Sequence, residues 1–451
     1  MRPAWRAATP SAILGIVFGS LYAALSLIRF ERFEISSWDN AIFEQGIKGY
    51  AHFGSPIVDV KGPGFNQLGD HFSPVLTLIA PFYRLFPSAQ TVLISQALLL
   101  GLSVAIVGHI AITHLGRAQG MCVAIAYGLS FGIQSALKAD FHEVAFAAPL
   151  LALVGGAYLD RDWRRMLWWS LPLLLVKEDM GLTVAAIGAV VWLGGERRRG
   201  TVLAITGLVV MALVILVAIP HFSPTGEWQY SSSFGESRGF LTVLTDAPGR
   251  KLLTLLITFG ITGMLAFASP WALVALPTLA VRFAADKEFY WGTDWHYSLV
   301  LMPIVFVALI DAMNRQHRAP WLRAYAARGA AVALAFAAAM QLNSPLSVLV
   351  QPSTYDSAPR AAGAREVIAL VPKGSKVETD ISLMSHLVTD HTVYWLGAVG
   401  NANPSYVLFD TSGGLGSPLD AVAYGETKHG GAWKLLYSQD GYQLARRVES
   451  P

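Results

Sequence analysis

Charge is what this sequence has least of. Only 14% of its 451 residues are Asp, Glu, Lys or Arg, while 54% are hydrophobic, and the mean hydropathy is +0.47. A soluble globular chain carries about a quarter charged residues, so a soluble single-core fold is excluded. There is one cysteine, Cys122, inside an apolar run, which rules out an intrachain disulfide and any multi-cysteine metal site. The net charge of +3 is small and scattered, and nucleic acid, which needs a concentrated basic patch, is excluded as a partner. Serine nucleophile elbows, glycine-rich phosphate loops and paired-cysteine motifs are missing too, as are internal repeats and low-complexity stretches.

What the chain has instead is a succession of apolar runs. A helix needs about 17 to 25 apolar residues to cross a bilayer. Runs of that kind lie near 12–28, 91–113, 120–137, 144–159, 202–219, 252–268, 271–285, 297–310 and 330–350. Two shorter ones, 166–176 and 180–195, flank the charged triplet Lys177, Glu178 and Asp179. The reading is a polytopic α-helical membrane protein with about eleven crossings. The first run is kept as a span rather than a signal peptide, because no small-residue cleavage site precedes Glu31.

Sidedness follows from the basic residues. With a cytoplasmic N-terminus, Arg2, Arg6, Arg117, the 161–165 and 197–199 clusters and Arg315 to Arg328 all fall inside, which is the positive-inside pattern. Arg250 and Lys251 run against it. The same assignment gathers most carboxylates and histidines outside, together with the loop acids Glu227 and Glu236. The chain divides into a membrane domain, 1–350, with a long first external loop at 31–73, and a soluble external α/β domain, 351–451. In the latter, strands are expected at 376–378, 392–395 and 406–409, a helix at 382–387, and a hairpin of 433–437 and 442–446 turning on Asp440 and Gly441. The apolar stretch 75–86, broken by Pro74, Pro81 and Pro87, is too short to span alone.

Ionisable groups near a membrane are expensive and mark sites or pathways. After the first span come Trp38, Asp39 and Asn40 and, a turn later, Glu44. An acid beside an amide can accept a proton from a hydroxyl, or Ser36, Ser37 or Asp39 can simply cap a helix starting near Asn40. Asp70 and His71 stand at the mouth of a helix, where they can meet a phosphate or metal or serve as a cap. Asp140, His142 and Glu143 follow the third span, without the second histidine that a metalloprotease motif needs. Lys177 and Glu178 read either as an internal ion pair or as a binder of an anionic headgroup. Asp294, His296 and Tyr297 precede another span among aromatics that suit an interfacial belt.

The order Trp38-Asp39-Asn40, Gly69-Asp70-His71-Phe72-Ser73-Pro74, Asp140-Phe141-His142, Lys177-Glu178 and Trp295-His296-Tyr297, closing on Tyr406-Val407-Leu408-Phe409-Asp410, resembles a bacterial family of predicted membrane proteins of unknown function grouped with the GT-C glycosyltransferases. The resemblance covers nearly the whole chain. It implies a GT-C-like fold in the bacterial inner membrane and a sugar donor linked to polyprenyl phosphate. It also implies transfer on the external face to a glycan, lipid or protein acceptor, and an essential acid in the first external loop, matched here by Asp39. The family's adjacent pair of acids is absent, since Asn40 follows Asp39, so a divalent metal, Mg or Mn, stays an open cofactor.

On that resemblance Asp39 is the general base. Asn40, Glu44, Asp70, His71, Asp140, His142, Glu143, Lys177, Glu178, Asp294, His296 and Tyr297 are the candidate substrate-binding set, with Lys177, His142 and His71 offsetting charge on the phosphate. The 75–86 segment and neighbouring spans would groove the lipid chain. Two other classes fit the same residues: a transporter or flippase for a lipid-linked or anionic substrate, built around the broken 177–179 turn, and a scaffold without chemistry.

Overall fold

The structure is a computed structural model that describes residues 5–35, 38–234, 239–412 and 416–448. Arg2, Ser36, Ser37 and Glu236 therefore lie outside the described residues. Among the described residues, five helices are long and apolar enough to cross a bilayer: Ala7–Glu31, Ala89–Leu115, Arg117–Lys138, Arg197–Phe222 and His296–Asn314. A sixth forms if Pro320–Ala326 and Gly329–Asn343, bent by 53° at their break, act as one. Glu143–Leu159, Met180–Leu193 and Pro270–Ala284 are apolar but shorter.

Of the about eleven crossings expected from hydropathy, not all are single long helices among the described residues, and backbone chemistry explains where the runs break. The 166–176 run splits into α8 (Trp163–Ser170) and a 3-10 turn, Leu171–Leu175, opened by Pro172, because proline cannot donate to the helical ladder. The 252–268 run ends its helix at Gly260, and Gly263 and Met264 then take positive φ of 58° and 62°.

The long helices α1 (Trp5–Glu31) and α4 (Ala89–Leu115) pack closely. Gly15 and Gly19 on α1 face Gly101 and Ala105 on α4; a Cβ on Gly101 would lie 2.7 Å from the Gly15 carbonyl oxygen and 2.8 Å from the Gly19 Cα. Small residues spaced by four let backbones approach where lipid supplies no hydrophobic drive. Ser88 caps α4 by accepting the Thr91 amide, and Gly116 ends it at φ 85°. Then come α5 (Arg117–Gly128), α6 (Phe131–Lys138), α7 (Ala147–Leu159), α9 (Met180–Leu193) and α10 (Arg197–Leu213).

Between α1 and α4 the chain lays α2 (Asp39–Ala51), short 3-10 turns and α3 (Ala80–Leu85) across the end of the bundle. Asp39 does not cap α2. Trp38 holds the cap position in αR conformation with no side-chain bond, and Asp39 is the first helical residue, where a negative charge complements the helix dipole.

The C-terminal sheet matches the strand expectations closely: β1 (Lys376–Thr379), β2 (Thr392–Trp395), β3 (Tyr406–Asp410), β4 (Ala432–Gln439) and β5 (Tyr442–Val448). Its order is β2-β1-β3-β5-β4, with β1 parallel to both neighbours and β5 antiparallel to β3 and β4. The β4–β5 turn uses Asp440 and Gly441, both at positive φ, as a two-residue hairpin of right-handed twist requires. Helices Ala361–Ala369 and Ala421–His429 were not expected.

The sheet domain is bolted to α1 and α2. The His386 ring stacks between Phe30 and Phe33, with centroids at 4.0 and 3.8 Å, and Trp38 meets Trp395 edge-on at 4.5 Å. Gln45 donates to the Val393 carbonyl at 3.0 Å and Lys48 to those of Val388 and Thr389 at 2.7 and 3.0 Å. Ala41, Ile42, Val58 and Val60 share one apolar core with Val377, Leu383 and Val393.

Candidate functional site

Asp39 stands at the bundle end that carries the sheet domain, its side chain 29% exposed, with Oδ2 3.4 Å from Nε2 of buried His142. His142 is placed with care. It follows the turn after α6, where Asp140 adopts a left-handed φ of 65° that aspartate tolerates better than most residues. Arg29, near the end of α1, donates to Asp140 Oδ1 at 3.0 Å and to the Leu137 carbonyl at 3.1 Å. Gln96, buried in α4, donates to the Asp140 carbonyl and accepts the His142 amide, both at 2.9 Å. The imidazole is stacked on His296, with centroids 3.6 Å apart and planes 28° apart, and is flanked edge-on by Phe43.

A second group begins one residue on. Glu143, with no exposed surface, pairs with Lys177 at 2.8 Å. The next residue of the triplet, Glu178, accepts from His71 Nδ1 at 2.8 Å and from the Phe72 amide at 3.2 Å. Lys61 pairs with Asp70 at 2.5 Å, and His71 stacks on Tyr230 at 4.7 Å. Burial and Lys177 push the His71 pKa down, but Glu178 and Asp70 outweigh them and it rises. Burial opposes ionisation of Asp70 and Glu178 as well, yet His71 with its neighbouring cations holds both below the usual carboxylate range. Lys177 is desolvated, but Glu143, Glu178 and Asp179 raise its pKa. Asp179 goes the other way: burial pushes it up to about 6.

Several expected members of the set are elsewhere. Glu44 is sealed under the sheet domain, accepting the Tyr83 hydroxyl at 2.8 Å and the Thr389 hydroxyl at 2.6 Å, so it joins α2, α3 and the sheet rather than facing a substrate. Asp140 is committed to Arg29 and acts beneath His142. Asp294 is 76% exposed and lies 3.9 Å from Arg250 at the rim. These three do not converge with Asp39, because each is drawn to a partner distant in sequence. Tyr297 packs on His296 at 4.2 Å and on Tyr290 at 4.6 Å, and Asn40 is fully buried with neither amide atom hydrogen-bonded.

Sequence reasoning passed over Arg29, Gln96, Lys61 and Tyr230. The first two carried a usable signal, a cation and an amide inside apolar runs. Among the described residues no three His, Cys, Asp or Glu side chains converge so as to hold a metal ion. An apolar groove of ≈ 610 Å³ runs between the 78–86 segment and α4, walled by Leu78, Phe82, Phe86, Leu98, Leu102 and Phe146. Phe146 ends the same 3-10 turn that Glu143 begins, which ties one wall residue of the groove to the Lys177 pair through three residues of chain.

The fold is similar to that of ArnT from Cupriavidus metallidurans, a GT-C glycosyltransferase. In the crystal structure bound to undecaprenyl phosphate the TM-score is 0.57 at 13% identity, covering 96% of this chain and 98% of that one. In the apo state it is 0.54 at 14%, covering 95% and 97%. At such identity the likeness is one of fold. No curated protein matches the sequence. Residues 29–444 match a family described as predicted membrane protein (DUF2079), and the chain accordingly belongs to that family of multi-pass membrane proteins.

Proposed function

We propose that this chain moves a sugar from a polyprenyl-phosphate donor to an acceptor hydroxyl on the external face of the bacterial inner membrane, with Asp39 as general base. The observation that carries this reading is a juxtaposition on consecutive residues. His142 faces Asp39, while Glu143 holds Lys177, and the short turn that Glu143 begins ends at Phe146 in the wall of an apolar groove. A lipid phosphate needs such an arrangement: an apolar channel for the tail, cations at its polar end, and an acid beyond them. The ArnT neighbour bound to undecaprenyl phosphate supports the same donor class.

Chemically, the acceptor oxygen bonds to the sugar C1 as the bond from C1 to the phosphate oxygen breaks. The lipid phosphate leaves with the electron pair, and the acceptor proton passes to Asp39. One base and one displacement invert the anomeric centre. Lys177 and protonated His71 offset the charge gained by the leaving phosphate, an effect that is strong away from water. Each is already matched by a carboxylate, which holds the cations in place. A metal would have to be supplied by donors other than a three-residue protein cluster, and no step is assigned to one.

Purified protein given radiolabelled polyprenyl-phosphate sugars should label a glycan, lipid or protein acceptor. Asp39→Asn should abolish transfer while donor binding persists, and undiminished transfer would remove Asp39 from its role. Substrate uptake into proteoliposomes that survives Asp39→Asn would favour a transporter.

A further inference from the structure

His142 is oriented in a way that its proximity to Asp39 alone does not require. Its Nδ1 lies 3.3 Å from the Asp140 carbonyl oxygen, a partner that can only accept, so the ring proton of a neutral imidazole belongs on Nδ1. That leaves Nε2 as a bare acceptor, aimed at a carboxylate oxygen 3.4 Å away and making no other hydrogen bond. Two acceptors facing each other repel unless a proton enters between them, whereupon the contact becomes a charge-assisted hydrogen bond. The ring cannot turn to escape. His296 covers one face at 3.6 Å, Phe43 abuts its edge, and Gln96 pins the backbone on both sides of Phe141.

We propose that Asp39 and His142 form a proton-sharing pair in which the proton taken by Asp39 from the acceptor hydroxyl passes to His142 Nε2. This rests on the glycosyl-transfer reading for its substrate, but the pair itself does not. In the balanced step the acceptor O–H proton moves to Asp39 Oδ2 and on to Nε2. The carboxylate is thereby restored, the new C1–O bond replaces the C1–phosphate bond, and the buried imidazolium returns its proton to solvent through the part-exposed Asp39 before the next turnover. His142 is then a positioning and proton-holding residue that acts through Asp39. Among the described residues, the charged and titratable groups around the pair include the His296 ring and Tyr297 on one side, the Glu143–Lys177 pair on the next residue, and Arg29 bound to Asp140 beneath.

The test has two arms on the full chain in nanodiscs. Protein labelled with 15N-histidine is compared by NMR at one pH, with the His142 ring resonances assigned by their loss in His142→Gln. Replacing Asp39 by Asn should move the His142 Nε2 resonance toward that of a ring nitrogen carrying no proton, because the carboxylate that holds a proton against Nε2 is gone. An unchanged Nε2 resonance overturns the pair. In the second arm, His142→Ala should lose about 10²- to 10⁴-fold in sugar-transfer turnover, regained with added imidazole and at unchanged donor KM. Full activity, or a loss that imidazole does not relieve, overturns the proposal. Coupling seen by NMR in a wild-type protein that transfers no sugar would uphold the pair and refute the glycosyl-transfer reading.

Discussion

Glu44 gives the most quantitative handle on how the sheet domain is held to the helix that carries Asp39. Its carboxylate has no exposed surface. Oε1 accepts from Tyr83 and Thr389, and Oε2 has no partner. Burial raises its pKa from 4.5 to about 7, against the lowering effect of those two hydrogen bonds and of Lys48. Between those values the folded protein keeps a proton that the unfolded chain has released. Stability from the neutral acid is therefore complete below 4.5 and is lost as pH rises through about 7. The gap corresponds to about 3 kcal/mol at about 1.4 kcal/mol for each pH unit.

Glu44→Gln keeps the shape and an acceptor oxygen but cannot ionise. The variant should resemble wild type at pH 4 and exceed it by about 3 kcal/mol at pH 8.5. The difference should appear as slower hydrogen exchange in 39–51 and 388–395, the segments Glu44 joins, and as a higher melting temperature in detergent. A difference between the two proteins that is the same at both pH values would refute the reasoning.

Arg29→Met should destabilise the protein by about 3 to 5 kcal/mol, because it strands the buried Asp140 carboxylate. Adding Asp140→Asn should recover part of that, as read by thermal unfolding of single and double variants. Gly101→Leu should prevent α1 and α4 from closing, since even a Cβ would fall within 2.8 Å of α1 backbone atoms; loss of the monodisperse peak on size exclusion is the expected result. Leu98→Trp should fill the apolar groove and weaken binding of a long-chain polyprenyl phosphate at least tenfold (about 1.4 kcal/mol). A water-soluble short-chain analogue should be unaffected, and equal weakening of both would show that the groove does not hold the tail.

Much of the fold was written in local pattern. Apolar runs located the long helices, because a segment whose backbone has no water to bond must satisfy it within itself. Short strand-like runs and the Asp440-Gly441 turn located the strands and hairpin to within a residue or two. Asp39, His142, His296, His71 and Lys177 were also picked out by the sequence, since charged and titratable groups beside apolar runs are conspicuous there. Local pattern failed where proline and positive-φ residues cut runs that hydropathy reads as continuous, at Pro172 and at Gly263 and Met264.

Which candidates meet was decided only in three dimensions. The sequence groups Glu44, Asp140 and Asp294 around Asp39 as candidate substrate-binding residues. Packing assigns the first to Tyr83 and Thr389, the second to Arg29 and the third to the solvent rim. It also brings in Gln96 and Lys61, and turns His142 from an expected phosphate contact toward Asp39. The reason is that a buried charge or amide is settled by whichever partner the chain's long-range closure delivers, and Arg29 with Asp140, His71 with Glu178, and Asp39 with His142 are each about a hundred residues apart. Composition and periodicity determined that this is a membrane bundle bearing a small sheet domain; only the closure of the bundle decided which of its few charges face one another.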